Sequence, residues 1–375
     1  MKRLLPLAAL FSLLSASSHA QTPDEAIKAL MDKGGITGMS VGIVRDSQPV
    51  YVKSFGYRNK PAGLPMDTST CVYAASLSKA VFAYLVMQLV SEGAIDLDKP
   101  LYTYLPKPLP EYPDYKDLEG DDRWRLITAR HCLSHTTGFP NWRQFNPHDN
   151  KKLEIFFTPG SRYAYSGEGL VLLQLVVETV TGRSLEDLAQ QRIFGPFGMR
   201  RTGYIWHPAF DEDFAVGHTA RADTVVKRRR SKSNAAGSME TTIADYTRFL
   251  AAVMQHRDIT QKAWDQMVSP QIAIYEKHQF PSLNTDSTLA NRAINLSYGL
   301  GWGLFTDPAA GPVFFKEGHD DGWQNYSICI PGRKEAYVFL ANSDNAEKMY
   351  TELVRRLTGI TLPWEWEGYG PPRKK

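Results

Sequence analysis

Two stretches near opposite ends of the chain carry runs of β-branched and aromatic residues, each interrupted by a turn signal. Residues 40–57 read Ser-Val-Gly-Ile-Val-Arg, then Asp46-Ser-Gln-Pro49, then Val-Tyr-Val-Lys-Ser-Phe-Gly-Tyr, which predicts an antiparallel hairpin. Residues 326–330 and 336–341 flank a turn that begins at Pro331-Gly332 and predict a second hairpin. Between them the apolar period lengthens. Val81, Phe82, Leu85, Val86, Leu89 and Val90 recur at helical spacing in a segment stopped by Gly93, and residues 170–181 and 243–254 repeat the pattern. Residues 345–357 read as a closing helix, and 107–122 as a loop rich in Pro, Gly and Asp. Strands from both ends around a helical middle predict an α+β fold: one antiparallel sheet, flanked by helices and completed late, with a mostly helical lobe inserted. The sheet lobe is expected at about 24–75 and 295–362, and the helical lobe at about 76–294.

The first twenty residues stand apart from this plan. Met1-Lys2-Arg3 precede an apolar run at 4–14 and a small-residue stretch ending at Ala20, the layout of a cleavable secretory signal. The run is shorter than the roughly 20 residues a membrane span needs, so a periplasmic or secreted protein with no membrane span is expected. The net charge of +3 includes Lys2 and Arg3, which argues against a general nucleic-acid binder. The run Lys227-Arg-Arg-Arg230 with Lys232 reads as a solvated loop rather than an anion site. Cys71, Cys132 and Cys329 are odd in number and far apart, so no disulfide framework follows; one pair can bridge, and spacing does not say which.

Candidate chemistry begins at Ala74-Ala-Ser76-Leu-Ser78-Lys79. Ser76 and Lys79 are three residues apart at a helix start and share a face, and Lys79 falls on the side the helix buries. Burial lowers a lysine's pKa and makes it a usable base, while the free N–H groups of the helix start favour an oxyanion at Ser76. The competing structural reading is a capping serine and a lysine that snorkels to water.

Four further blocks accompany this motif: Leu89-Val-Ser-Glu-Gly-Ala-Ile-Asp-Leu-Asp98, Ile127-Thr-Ala-Arg-His-Cys-Leu-Ser-His-Thr-Thr-Gly-Phe-Pro140, Pro159-Gly-Ser-Arg-Tyr-Ala-Tyr-Ser-Gly167 and Ala235-Ala-Gly-Ser-Met-Glu-Thr-Thr242. With them, residues 26–358 resemble the β-lactamase-related serine hydrolases: class C β-lactamases, D-alanyl-D-alanine peptidases and β-lactamase-like esterases. The resemblance implies a β-lactamase/transpeptidase-like fold and an acyl-enzyme on Ser76, with Lys79 and Tyr165 moving protons and no cofactor or metal required. In relatives the second motif is Tyr-x-Asn; here Tyr165-Ser166-Gly167 keeps the tyrosine and lacks the amide. Neighbouring cations such as Lys79 would favour the Tyr165 phenolate. The third motif, Lys-Thr-Gly or His-x-Gly in relatives, falls by this reading at His319-Asp320-Asp321, with the next residue, Gly322, as oxyanion donor beside the Ser76 N–H. Asp320 and Asp321 would then repel anionic substrates and raise the pKa of His319.

Two motifs are set aside. Gly38-Met-Ser40-Val-Gly42 matches an esterase elbow but lies where a strand simply continues. His131 and His135 stand four apart without a glutamate base between them or a further ligand, so they read as structural. The expected function is exported hydrolysis of a small ester, amide or peptide, cell-wall fragments included. Carboxylesterase or D-amino-acid peptidase activity ranks ahead of efficient β-lactam hydrolysis, and the alternative is a low-turnover peptidoglycan-fragment or penicillin-binding protein.

Overall fold

The computed structural model describes residues 23–225 and 227–367; the signal-like segment at 1–20 lies outside the described residues. Among the described residues nine strands form one antiparallel sheet: β1 (Gly38–Arg45), β2 (Gln48–Asn59), β3 (Leu64–Pro65), β4 (Ile272–Ala273), β5 (Ser297–Tyr298), β6 (Gly303–Asp307), β7 (Gly311–Asp320), β8 (Trp323–Ile330) and β9 (Glu335–Ala341). Their spatial order is β3-β2-β1-β9-β8-β7-β6-β5-β4, so the first and last strands meet inside the sheet, with Met39 opposite Ala341. Both predicted hairpins are present as β1–β2 and β8–β9.

Strand β9 shows why the sheet is a middle layer. Ala336, Val338 and Leu340 enter one hydrophobic cluster while Tyr337, Phe339 and Ala341 enter the other, the period-2 alternation of a strand buried on both faces. Helix α1 (Pro23–Gly34) contributes Ile27, Leu30 and Met31 to the second cluster, joined by Leu353 and Val354 of the late helix Tyr350–Thr358. The opposite face is covered by α2 (Leu77–Ser91), which is buried all round from Leu77 to Leu89, and by the helix Ile243–Met254.

Two features depart from the expected division into lobes. Strand β4 lies within 76–294 yet forms a sheet edge. The helix Ile243–Met254, expected in the inserted lobe, packs directly on β1, where a β-carbon at Gly42 would come within 1.9 Å of Thr247 Oγ1. That close approach is what a glycine in a strand interior permits. The segment at 107–122 is organised as short 3₁₀ turns, including Leu109–Glu111 and Pro113–Leu118, rather than open loop. Cys71, Cys132 and Cys329 are buried free thiols.

Candidate active site

The start of α2 is a strained corner. Ala75 adopts φ +46°, a left-handed conformation costly for a residue with a β-carbon, and Ser76 follows at φ −71° as the N-cap. The Ser76 hydroxyl makes no capping hydrogen bond, which removes the structural reading of this serine. Lys79, one turn on, is 2% exposed and does not reach water. Its Nζ lies 2.9 Å from Ser76 Oγ and donates to the Ala236 carbonyl at 2.5 Å, which joins the 235–242 block to the helix start.

Tyr165 enters from the loop before the helix Gly167–Thr181, whose N-cap Ser166 accepts from Gly169 N–H. The phenol is buried, and Lys79 and Lys316 stand over its ring, each at 4.9 Å from the centroid. Lys316 donates to the Tyr165 hydroxyl at 3.1 Å and to Glu317 Oε1 at 2.7 Å. His135, at φ +56°, fixes the loop from behind: Nδ1 accepts from Ser166 N–H at 3.1 Å, and the ring lies 4.3 Å from that of Tyr165.

These groups hold one carboxylate against two lysines, so the low-charge state has a single ammonium. Burial holds Lys79 well below the usual lysine range, and repulsion from Lys316 adds to this against a smaller pull from Glu317. Burial also lowers Lys316, but the Glu317 carboxylate opposes it by charge and hydrogen bond. Burial works to raise Glu317, and Lys316 more than offsets it, leaving that carboxyl low. These effects favour a Lys316–Glu317 ion pair and make Lys79 the lysine that gives up its proton more readily. Tyr165 departs from expectation: burial, reinforced by Glu317 and opposed by a hydrogen bond with Ser76, pushes its phenol well above the usual range. It rests as a phenol, a proton donor, not as a phenolate.

The third motif sits three residues earlier than the sequence reading placed it. Strand β6 pairs with β7 only as far as Gly303 opposite Phe315, so beyond that point this edge of β7 is uncovered and faces α2. A β-carbon at Gly318 would meet the Ala74 carbonyl oxygen at 2.4 Å and Leu77 N at 2.9 Å. Lys316-Glu317-Gly318, a Lys-x-Gly sequence, thus lies against Ser76, Lys79 and Tyr165. Gly322 does not: with φ +82° it occupies the two-residue turn closing β7–β8, packs on Gly217, and gives its N–H to Asp344 Oδ1 at 2.6 Å. His319 ends the free edge with its imidazole held by Gln324, and burial lowers its pKa to about 4, opposite to the expected rise.

Asp320 and Asp321 are exposed at the rim and share a cleft of about 280 Å³ with Lys227, Arg228 and Arg230. The basic run is therefore not simply solvated. The Lys227 side chain is 6% exposed and pairs with Glu240 at 2.5 Å, while Arg230 stacks on the Tyr73 ring at 3.9 Å. The rim beside the two aspartates is thus of mixed charge rather than purely anionic.

Where relatives carry the second-motif asparagine, a β-carbon at Gly167 would meet the Trp142 indole at 2.7 Å. An apolar ring fills the place of an amide. The two motifs set aside are structural: Ser40 lies within β1 and hydrogen-bonds Ser54 at 2.7 Å, and His131 completes a capping box with Thr128.

Against known proteins, the family model described as Beta-lactamase matches residues 23–359. Esterase EstB of Burkholderia gladioli is 29% identical over 230 residues, 55% of this chain and 56% of the esterase. Penicillin-binding protein 4* of Bacillus subtilis (strain 168) is 24% identical over 79% of this chain and 66% of its own length. The chain thus spans less than two thirds of either relative. In three dimensions the D-alanine carboxypeptidase AmpC of Burkholderia cenocepacia superposes with a TM-score of 0.70 at 22% identity, covering 90% of this chain and 97% of that one, a match of fold.

Proposed function

The chain belongs to the beta-lactamase family of serine hydrolases, and from that premise we propose that it is an exported carboxylesterase forming its acyl-enzyme on Ser76. Neutral Lys79 takes the Ser76 proton as the oxygen attacks the ester carbonyl. The Tyr165 phenol passes a proton to the departing alkoxide and is resupplied from the Lys79 ammonium. Lys316 holds the phenol oxygen in place. The developing oxyanion is received by the N–H groups of Ser76 and of His319, the residue that follows Lys316-Glu317-Gly318. Water then attacks the acyl-enzyme and releases the acid.

The Lys316–Glu317 pair is the observation that carries the choice of a neutral ester. A carboxylate on the substrate, as in a penicillin or a D-alanyl-D-alanine terminus, gains most from a cation near the scissile bond. Lys316 is 0% exposed and is already matched to Glu317 at 2.7 Å. A second carboxylate about 4 Å from Glu317 would meet repulsion of about 4 kcal/mol at an effective dielectric near 20. The name of the Burkholderia gladioli relative points the same way.

The test is a panel of neutral esters, D-amino-acid amides, muropeptides and penicillins, run alongside fluorophosphonate labelling. Ester turnover at least tenfold above the rest in kcat/KM is the expected result. Labelling with negligible turnover of every class would replace this reading with the low-turnover binding protein. Export is proposed from the pattern at 1–20, and a mature N-terminus beyond Ala20 in the exported fraction tests it.

A further inference from the structure

One ring beyond Tyr165 lies a cleft of about 530 Å³ whose walls include Asn141, Phe145, Phe280, Pro281 and Leu283. None of its lining residues carries a charge. Phe280 sets its ring edge-on to Tyr165 at 5.5 Å between centroids, so the cleft begins one ring's width from the proposed proton donor. Phe145 is 66% exposed and Phe280 40% exposed, which leaves large apolar surface facing water at the mouth. Two neighbouring arginines are engaged elsewhere. Arg143 binds Glu168 through Nε and Nη2, and Arg162 donates to the Asn284 carbonyl and faces Glu276.

The chemistry of acyl transfer says what belongs there. Attack by Ser76 Oγ forms the new C–O bond and breaks the bond from the carbonyl carbon to the alcohol oxygen. The electron pair leaves with that oxygen, which takes its proton from Tyr165. The departing oxygen must therefore lie at the Tyr165 hydroxyl, and Phe280, a wall of the cleft, is a ring that stands against Tyr165. Water later restores Ser76 and carries off the acyl half as the acid, so the alcohol half alone passes this side of Tyr165.

Resting on the serine-esterase reading above, we propose that the cleft between Phe145 and Phe280 is the leaving-group subsite, and that it takes the uncharged, bulky aryl or alkyl alcohol of an ester. Filling it covers the exposed phenylalanines, and a carboxylate on the alcohol finds no free cation among the lining residues.

Two ester series test this. One keeps a butyryl group and varies the alcohol through methyl, benzyl and 4-carboxybenzyl, the last two being close in size and leaving-group basicity. The other keeps methanol and varies the acyl chain from butyryl to 4-phenylbutyryl. Benzyl should exceed both methyl and 4-carboxybenzyl in kcat/KM by about 10-fold, the scale of one good apolar contact. Phe145→Ala and Leu283→Ala should each cut the benzyl-to-methyl ratio by about 5-fold or more. Leu283→Arg should raise 4-carboxybenzyl relative to benzyl. Phe280 is left intact because it touches Tyr165. If the variants alter the acyl series and not the alcohol series, the cleft holds the acyl half and the proposal fails; it fails equally if neither series responds. Fluorophosphonate labelling of Ser76 in each variant separates the two readings: a label elsewhere overturns the esterase reading, and a label on Ser76 with unaltered ratios overturns only the subsite.

Discussion

The Lys316 ammonium and the Tyr165 hydroxyl stand 3.1 Å apart across 151 residues of sequence, both side chains buried. That bond orients the phenol, and burial keeps it protonated. Tyr165→Phe removes the proton donor while preserving the ring stacked on His135. For a neutral ester, kcat should fall about 100-fold or more, with KM changing less. A near-normal kcat would reduce Tyr165 to packing and leave Lys79 to move every proton.

Replacing Ser76 with Ala should abolish fluorophosphonate labelling with circular dichroism unchanged, because the hydroxyl makes no cap bond that the fold needs. Ser40→Ala should label normally, since that hydroxyl is tied to Ser54 inside the sheet. Mass spectrometry of the labelled peptide decides; a label carried by the segment containing Ser40 would reassign the nucleophile.

Glu317→Gln leaves Lys316 buried against an amide. Breaking a buried pair from one side costs about 3–5 kcal/mol, and the loss should appear as a lower urea midpoint with an unchanged slope. Lys316→Met combined with Glu317→Gln removes both charges and should recover much of that loss. A double variant no more stable than the single one would show that shape, not charge, dominates there.

Activity should depend on pH through Lys79, which must be neutral to accept the Ser76 proton. Acid protonates it, so kcat/KM should fall as pH falls, with the limb lying well below the ordinary lysine value of 10.5. Lys316→Met removes a repelling charge and frees Glu317 to attract; both effects raise the Lys79 pKa, so the limb should move to higher pH. A shift to lower pH would mean that another group controls the profile.

Gly167→Asn drives a side chain into the Trp142 indole, whose nearest atoms lie 2.7 Å from the β-carbon position. Overpacking of this kind costs about 1–3 kcal/mol. Adding Trp142→Ala opens the space, so the double variant should regain thermal stability over Gly167→Asn alone. Its amide-to-ester kcat/KM ratio should exceed that of the unaltered protein, because an amide then stands where the indole was.

Ser76 and Lys79 were legible because helical geometry converts a spacing of three directly into a shared face, with no need of the rest of the fold. Tyr165 is legible through its block, but its protonation state is not, since that depends on burial first and then on Glu317, both of which only the folded sheet supplies. Lys316-Glu317-Gly318 competes in the sequence with the histidine that follows it, which fits the same motif. A signal existed: Asp321-Gly322 is a two-residue hairpin turn, which puts the residues before it at a strand end and its Lys-x-Gly further inside. The burial of Lys227 was not readable, because a run of four basic residues looks solvated until Glu240 is folded beneath it.

The meeting of β1 with β9 also dictates when the enzyme can come into being. A pairing of Met39 with Ala341 closes a loop of roughly 300 residues, an entropy cost of about 5 kcal/mol that local helices cannot offset in advance. Chains dominated by such remote contacts fold slowly, and their nascent forms keep strand edges open. Ser76 and Lys79 leave the ribosome early, but Lys316 joins them only after most of the polypeptide has been made. A chain that stalls before β7 therefore carries the nucleophile without the lysine that holds Tyr165 in place and without the His319 N–H, and catalysis appears only when synthesis is nearly finished.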